Sequence, residues 1–269
     1  MAQKKVLFIA QEITPYLAES TLSLRGRKVA QGVQESGFEV RTFMPKFGMI
    51  NERRNQLHEV IRLSGMNIII DDNDHPLIIK VATMQPTRMQ IYFIDNDDYF
   101  RRPPVKELET ESSPEDNDER AIFYTRGVIE TVKKLRWEPA VIQCIGWLSA
   151  LAPMYIKELY SDDPSFRSSK IVYALQDDGF EGQLDPRMVE KLIGDKLPKD
   201  ALKALEGPVD YMALNRLAID HADAVVQISA DASPELLEYA ASTGKPMLRY
   251  QSEDTLTADI AAFYHSLID

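Results

Sequence analysis

Apolar runs of strand length alternate with helix-period patterns along most of this chain. Val6-Leu7-Phe8-Ile9-Ala10 is continuously apolar, and a loop through Pro15 follows it. From Leu22 to Ser36 the apolar positions Leu22, Val29 and Val33 share one helix face, and Gly37 stands where that helix would stop. Phe38 to Met44 then reads as a second strand ending at Pro45. This is the strand–helix–strand opening of a parallel sheet.

The next stretch has a different rhythm. Leu57–Leu63, Met66–Ile70, Leu77–Thr83 and Met89–Ile94 are short strand patterns, with a hairpin-type turn at Asp71-Asp72-Asn73-Asp74. They predict an antiparallel insert beside the main sheet. Lys106 to Glu119 is acidic, contains serine and is poor in apolar residues, which predicts a loop. The alternation then resumes. Helices are expected over Asp118–Leu135 and Leu148–Leu159, over Arg187–Leu205 with breaks at Gly194 and Pro198, and over Tyr211–His221 and Leu256–Leu267. Another starts at Ser233-Pro234-Glu235, a cap followed by proline in the first turn. Strands are expected at Val141–Cys144, Ile171–Leu175, Ala224–Ser229 and Pro246–Tyr250. With no internal repeat and no linker, residues 1–269 read as one doubly wound α/β domain with a mostly parallel sheet.

Composition narrows the function classes. A net charge of −11 argues against nucleic acid or an anionic membrane as partner. The lone Cys144 excludes a disulfide framework and a cysteine zinc site within one chain. No apolar run is long enough for a signal peptide core or a bilayer span, so a cytoplasmic protein is expected.

The search for chemistry returns little. No glycine-rich phosphate loop follows the first strand, and Gly26 and Gly32 lie inside the expected helix. His58, His75, His221 and His265 lack ligand-like spacing and read as surface or capping residues, so neither metal nor cofactor is expected. Asp95, Asp97 and Asp98 can hold a cation but read as a solvated turn. Three polar-tipped strand ends stand out: Gln11-Glu12, Trp147, and Gln176-Asp177. They converge on the carboxyl edge of the sheet, where α/β folds bind ligands. Trp147 is read either as a plate for a ligand or as a helix-start anchor packed on the sheet.

Several blocks, in order, resemble the N-terminal domain of bacterial glycogen and plant starch synthases. Gln11-Glu12-Ile13-Thr14-Pro15-Tyr16 is similar to the family's Ser-Glu-Val-Ala-Pro-Phe turn. Gly37-Phe38-Glu39-Val40 and Met44-Pro45-Lys46-Phe47-Gly48 resemble its Gly-His-Glu-Val and Leu-Pro-Arg-Tyr-Gly. Tyr99-Phe100-Arg101 and Asp116-Asn117-Asp118-Glu119-Arg120 are similar to Phe-x-Arg and Asp-Asn-x-x-Arg, and Trp147-Leu148-Ser149-Ala150-Leu151-Ala152-Pro153 to Trp-His-Thr-Ala-Leu-x-Pro. Ile219-Asp220-His221-Ala222-Asp223-Ala224-Val225 with Ile228-Ser229 resembles Ile-x-Tyr-Ala-Asp-x-Val and Val-Ser. The resemblance implies a Rossmann-like fold and a hexosyltransferase ancestry.

The departures fall on the chemistry. Ala18-Glu19-Ser20-Thr21-Leu22-Ser23-Leu24 replaces the family's Lys-Thr-Gly-Gly-Leu-Gly-Asp loop, which approaches the nucleotide sugar. Lysine is lost and the glycines that admit phosphate are filled in. Ile145-Gly146-Trp147 stands for His-Asp-Trp, and Leu175-Gln176-Asp177 for Ile-His-Asn. The family pairs this domain with a second, nucleotide-binding one, which would bring the length to roughly 400 residues or more. About 40 residues follow Ser229, so that domain is expected to be absent.

Three functions compete. The first is a binding or regulatory protein whose crevice, lined by Glu12, Trp147, Gln176 and Asp177, holds a carbohydrate, a nucleotide sugar or a partner protein without turnover. The second is a glucosyltransferase, with ADP- or UDP-glucose as donor, completed by a separate chain. The third is an unrelated enzyme with Glu12 and Asp177 as acid–base pair. The lost loop favours the first over the second.

Overall fold

The computed structural model describes residues 3–101 and 115–269. Its first half holds β1 (Lys5–Ala10), α1 (Thr21–Glu35), β2 (Glu39–Pro45), β3 (His58–Glu59), β4 (Met66–Ile70), β5 (Asn73–Met84), β6 (Met89–Asp95) and α2 (Asn117–Leu135). There follow β7 (Val141–Ile145), α3 (Ala152–Leu159), β8 (Lys170–Leu175), α4 (Met188–Gly194), α5 (Tyr211–His221), β9 (Ala224–Gln227), α6 (Pro234–Ser242), β10 (Met247–Leu248) and α7 (Leu256–Ile268). Short 3₁₀ turns cover Trp147–Ser149 and Lys199–Leu205.

The strand order is β10-β9-β8-β7-β1-β2-β6-β5-β3, with β4 paired to β5. Every pair from β10 to β6 is parallel, and the pairs made by β5 are antiparallel. Strands buried on both faces need apolar residues throughout, which is why Val6 to Ala10 form an unbroken apolar run at 0% exposure. From β1 the chain crosses to β2 on one side and later returns to β7 on the other. The right-handed crossovers therefore place α1 and α3 on opposite faces. The two directions part between β1 and β7, the topological switch point of the sheet.

Several expectations are corrected. Of Leu57–Leu63 only His58–Glu59 pairs, because Ile61 to Leu63 turn instead of extending. Met89–Ile94 is no part of the insert: β6 lies parallel to β2 in the main sheet. The hairpin turn is Asp71-Asp72 alone, both with positive φ, and Asn73-Asp74 already belong to β5. Residues 106–114 of the expected acidic loop lie outside the described residues, and its end, Asn117 to Glu119, opens α2. The helix expected over Leu148–Leu159 is broken into the 3₁₀ turn and α3. β9 stops at Gln227 and β10 spans two residues.

β4 has a free edge. Pro76 lacks an N–H and lies opposite Asn67, so Asn67 and Ile69 turn their backbone groups away from β5. Arg126 of α2 meets one of them, donating from Nη1 to the Ile69 carbonyl at 2.6 Å.

Candidate functional site

The carboxyl ends of β1 and β7 are laced together at the switch point. The Gln11 N–H donates to the Ile145 carbonyl at 3.0 Å, and Gln11 Oε1 accepts from the Leu148 N–H at 3.1 Å. Gly146 makes this approach possible. Its φ is +91°, and a Cβ there would lie 2.6 Å from Gln11 Cβ.

Glu12 follows on the same edge, 5% exposed, with its carboxylate at the head of α1. Ser20 caps that helix. Ser20 Oγ accepts from the Ser23 N–H at 2.9 Å and donates to Glu12 Oε2 at 2.8 Å. In return, Ser23 Oγ accepts from the Ser20 N–H at 2.9 Å, which completes a capping box. The helix also presses on the Glu12 backbone: a Cβ on Gly26 would stand 2.3 Å from the Glu12 carbonyl oxygen. The head of α1 thus spends the Ser20 and Ser23 N–H groups on its own serines, and its capping hydroxyl holds the protein's own Glu12 carboxylate.

β8 delivers the third strand end. Gln176 is 1% exposed; its amide lies against the Asp178 carboxylate, and its Oε1 has no hydrogen-bond partner. Asp177 points outward and is exposed. Asp178, which the sequence reading passed over, turns inward. Its Oδ2 accepts from the Trp147 backbone N–H at 2.9 Å and its Oδ1 from the Tyr211 hydroxyl at 2.6 Å. Burial pushes the Asp178 carboxyl up to about 6, against the opposing pull of Tyr211, Trp147 and the neighbouring Gln176 carboxamide. The same burial and the Asp178 charge raise Tyr211 far above the ordinary phenol range. Trp147 is 3% exposed, and its ring meets Phe180 edge-on at 4.9 Å. Phe180 in turn meets Tyr211 at 5.9 Å.

The structure therefore gathers Glu12, Trp147 and Gln176 at one edge, buried, and leaves Asp177 in solvent. No hydrogen bond or ion pair joins Glu12 to Asp177. The sequence reading missed the roles of Ser20, Asp178 and Tyr211. Asp178 lay in the same acidic pair as Asp177, but no periodicity says which of two loop residues turns inward.

The aspartate group after β6 needs correction. Asp95 is fully buried, not solvated, because Lys80 Nζ at 2.9 Å and Arg101 Nη2 at 3.2 Å neutralise it. Asp97 pairs with Arg101 at 2.7 Å, and Asp98 lies 3.3 Å from His75. Among the described residues no group of three or more His, Cys, Asp or Glu side chains is arranged to hold a metal. No described helix is long and apolar enough to cross a membrane.

Residues 5–249 match the family model of the starch synthase catalytic domain. This chain belongs to that family. A glycogen synthase of Pelodictyon phaeoclathratiforme is 30% identical over 234 residues, covering 87% of this chain and 47% of the relative. That of Chlorobaculum tepidum is 32% identical over 235 residues, again 87% and 47%. The chain spans about half the length of the curated relatives it matches. The catalytic domain of starch synthase IV from Arabidopsis thaliana, bound to ADP and acarbose, has the same fold, with a TM-score of 0.73. It is 16% identical, and the match covers 96% of this chain and 53% of that one. Within the starch synthase family, the Ser20–Ser23 box stands where the resemblance places the nucleotide-sugar loop.

Proposed function

We propose that this chain is a starch-synthase-type binding or regulatory domain that does not transfer glucose. Its crevice at the β1/β7 switch point, with Glu12, Gln176 and Asp178 against the Trp147 wall, holds a sugar, and Asp177 stands at its solvent side. The observation that carries the reading is the serine-capped head of α1, with a carboxylate held against it. A phosphate-binding helix start presents free N–H groups and a favourable dipole end to the ligand. Here Ser20 and Ser23 engage two of those groups, the Ser20 and Ser23 N–H, and Ser20 holds the Glu12 carboxylate beside them. Ala18, Ile145 and Gln176 occupy the positions of a lysine and two histidines in the resemblance. Loss of one such electrostatic group costs about 10²–10³ in rate, and several are gone together.

The expected result is no enzyme-dependent release of ADP or UDP when the purified chain is mixed with ADP-glucose or UDP-glucose and glycogen. Release that scales with protein concentration would refute the reading. The competing reading, a glucosyltransferase completed by further polypeptide, draws on the glycogen synthase relatives at about 30% identity. It requires saturable ADP-glucose binding by this chain, which calorimetry measures directly.

A further inference from the structure

We propose that the crevice selects an uncharged polyhydroxy ligand and rejects phosphorylated ones, with the Ser20-held Glu12 as filter and Gln176 as the hydroxyl-binding group. This rests on the crevice being a ligand site, as argued above, and adds what that site admits.

Gln176 gives the first half of the argument. Its carboxamide is 1% exposed: the amide side lies against the Asp178 carboxylate, while the acceptor Oε1 has no partner, an arrangement that folding disfavours unless something completes it. A hydroxyl donates as well as accepts, so a sugar hydroxyl satisfies Oε1. An ionised phosphate offers only acceptors. It would leave Oε1 unpaired.

Charge gives the second half. The three strand ends carry Glu12, Asp177 and Asp178, and the stretches 10–12, 145–149 and 176–181 contain no lysine or arginine. Glu12 carries its charge to the helix start, where Ser20 holds it at 2.8 Å. With glycine at position 20, as in the resembled loop, no side chain would hold the carboxylate at that place. A phosphate group entering here meets like charge in a buried setting, where screening by salt is weak.

The test is calorimetric titration of the full chain with maltotriose, glucose 1-phosphate and ADP-glucose, using wild type, E12Q and Q176L. Wild type should bind maltotriose at least about tenfold more tightly than either phosphorylated ligand. E12Q keeps an acceptor for Ser20 and removes the charge, so glucose 1-phosphate should gain about tenfold while maltotriose changes little. Q176L should lose maltotriose binding by about tenfold and melt close to wild type, since the unpaired acceptor it removes offsets the lost contact with Asp178. A merely structural glutamine would not show that split. If wild type binds ADP-glucose as tightly as maltotriose, or E12Q leaves the preference unchanged, this inference falls and the binding-domain reading stands. If wild type binds none of the three, both fall.

Discussion

Asp178 is the residue whose ionisation should show in stability. Its carboxyl titrates near 6 in the folded chain, against an ordinary aspartate value of 3.8. Between those values the native state holds a proton that the unfolded state has released. This group's contribution is therefore fully present below about pH 4 and is lost as pH rises through 6. D178N should be at least as stable as wild type at pH 7, with an advantage of about 1–3 kcal/mol that shrinks on acidification to pH 5. Urea midpoints at the two pH values measure it, and a D178N curve parallel to wild type would exclude the assignment. The candidate site was partly legible in the sequence. Glu12, Trp147 and Gln176 could be placed because each follows a strand-length apolar run, and a strand end fixes an edge. Ser20 could be seen only as a departure from a motif. Its bond to Glu12 spans eight residues and a cis Thr14–Pro15 turn, which no residue pattern encodes.

Among the elements, α7 lies beyond the matched residues 5–249 and yet is anchored to the centre of the sheet. Tyr264 donates to Gln143 Oε1 at 2.7 Å, and both side chains are at 0% exposure. Tyr264 also meets Phe38 edge-on at 6.1 Å, and Lys4 pairs with Asp269. Y264F leaves a buried acceptor unpaired, which should lower stability by about 1–3 kcal/mol. Chemical denaturation checks this, and a change below about 0.3 kcal/mol would mean that the bond contributes nothing. The elements themselves were the most legible part. β1, α1, α2, β7, β8, α5 and α7 fall within a residue or two of the patterns that predict them, because each buries a face of matching period. The insert was read less well. Its strands are short and half exposed, so composition marks the turns but not which strand returns to the main sheet. β6 is assigned by its pairing with β2, a contact between segments about 50 residues apart in sequence.

At the scale of the molecule, one buried apolar network runs from Val6 to Tyr264 and includes residues from nearly every strand and helix. Unfolding should therefore be a single transition in which far-UV circular dichroism and tryptophan fluorescence coincide. Trp137 and Trp147 report from the two ends of the β7 segment, so separated transitions would show that the chain holds two cooperative units. The free edge of β4 bears on what happens once that network loosens. Met66-Asn67-Ile68-Ile69-Ile70 is a short, uncharged, branched segment with Ile69 55% exposed, the composition that stacks into cross-β fibrils. In the folded chain Arg126 takes the Ile69 carbonyl, and Asp71-Asp72 place two charges at the strand's end. Those three residues act as gatekeepers of an aggregation-prone pentapeptide, and the guard depends on α2 staying docked. Unfolding that releases α2 would bare a template for self-assembly, so aggregation should set in at the same temperature as the loss of the core.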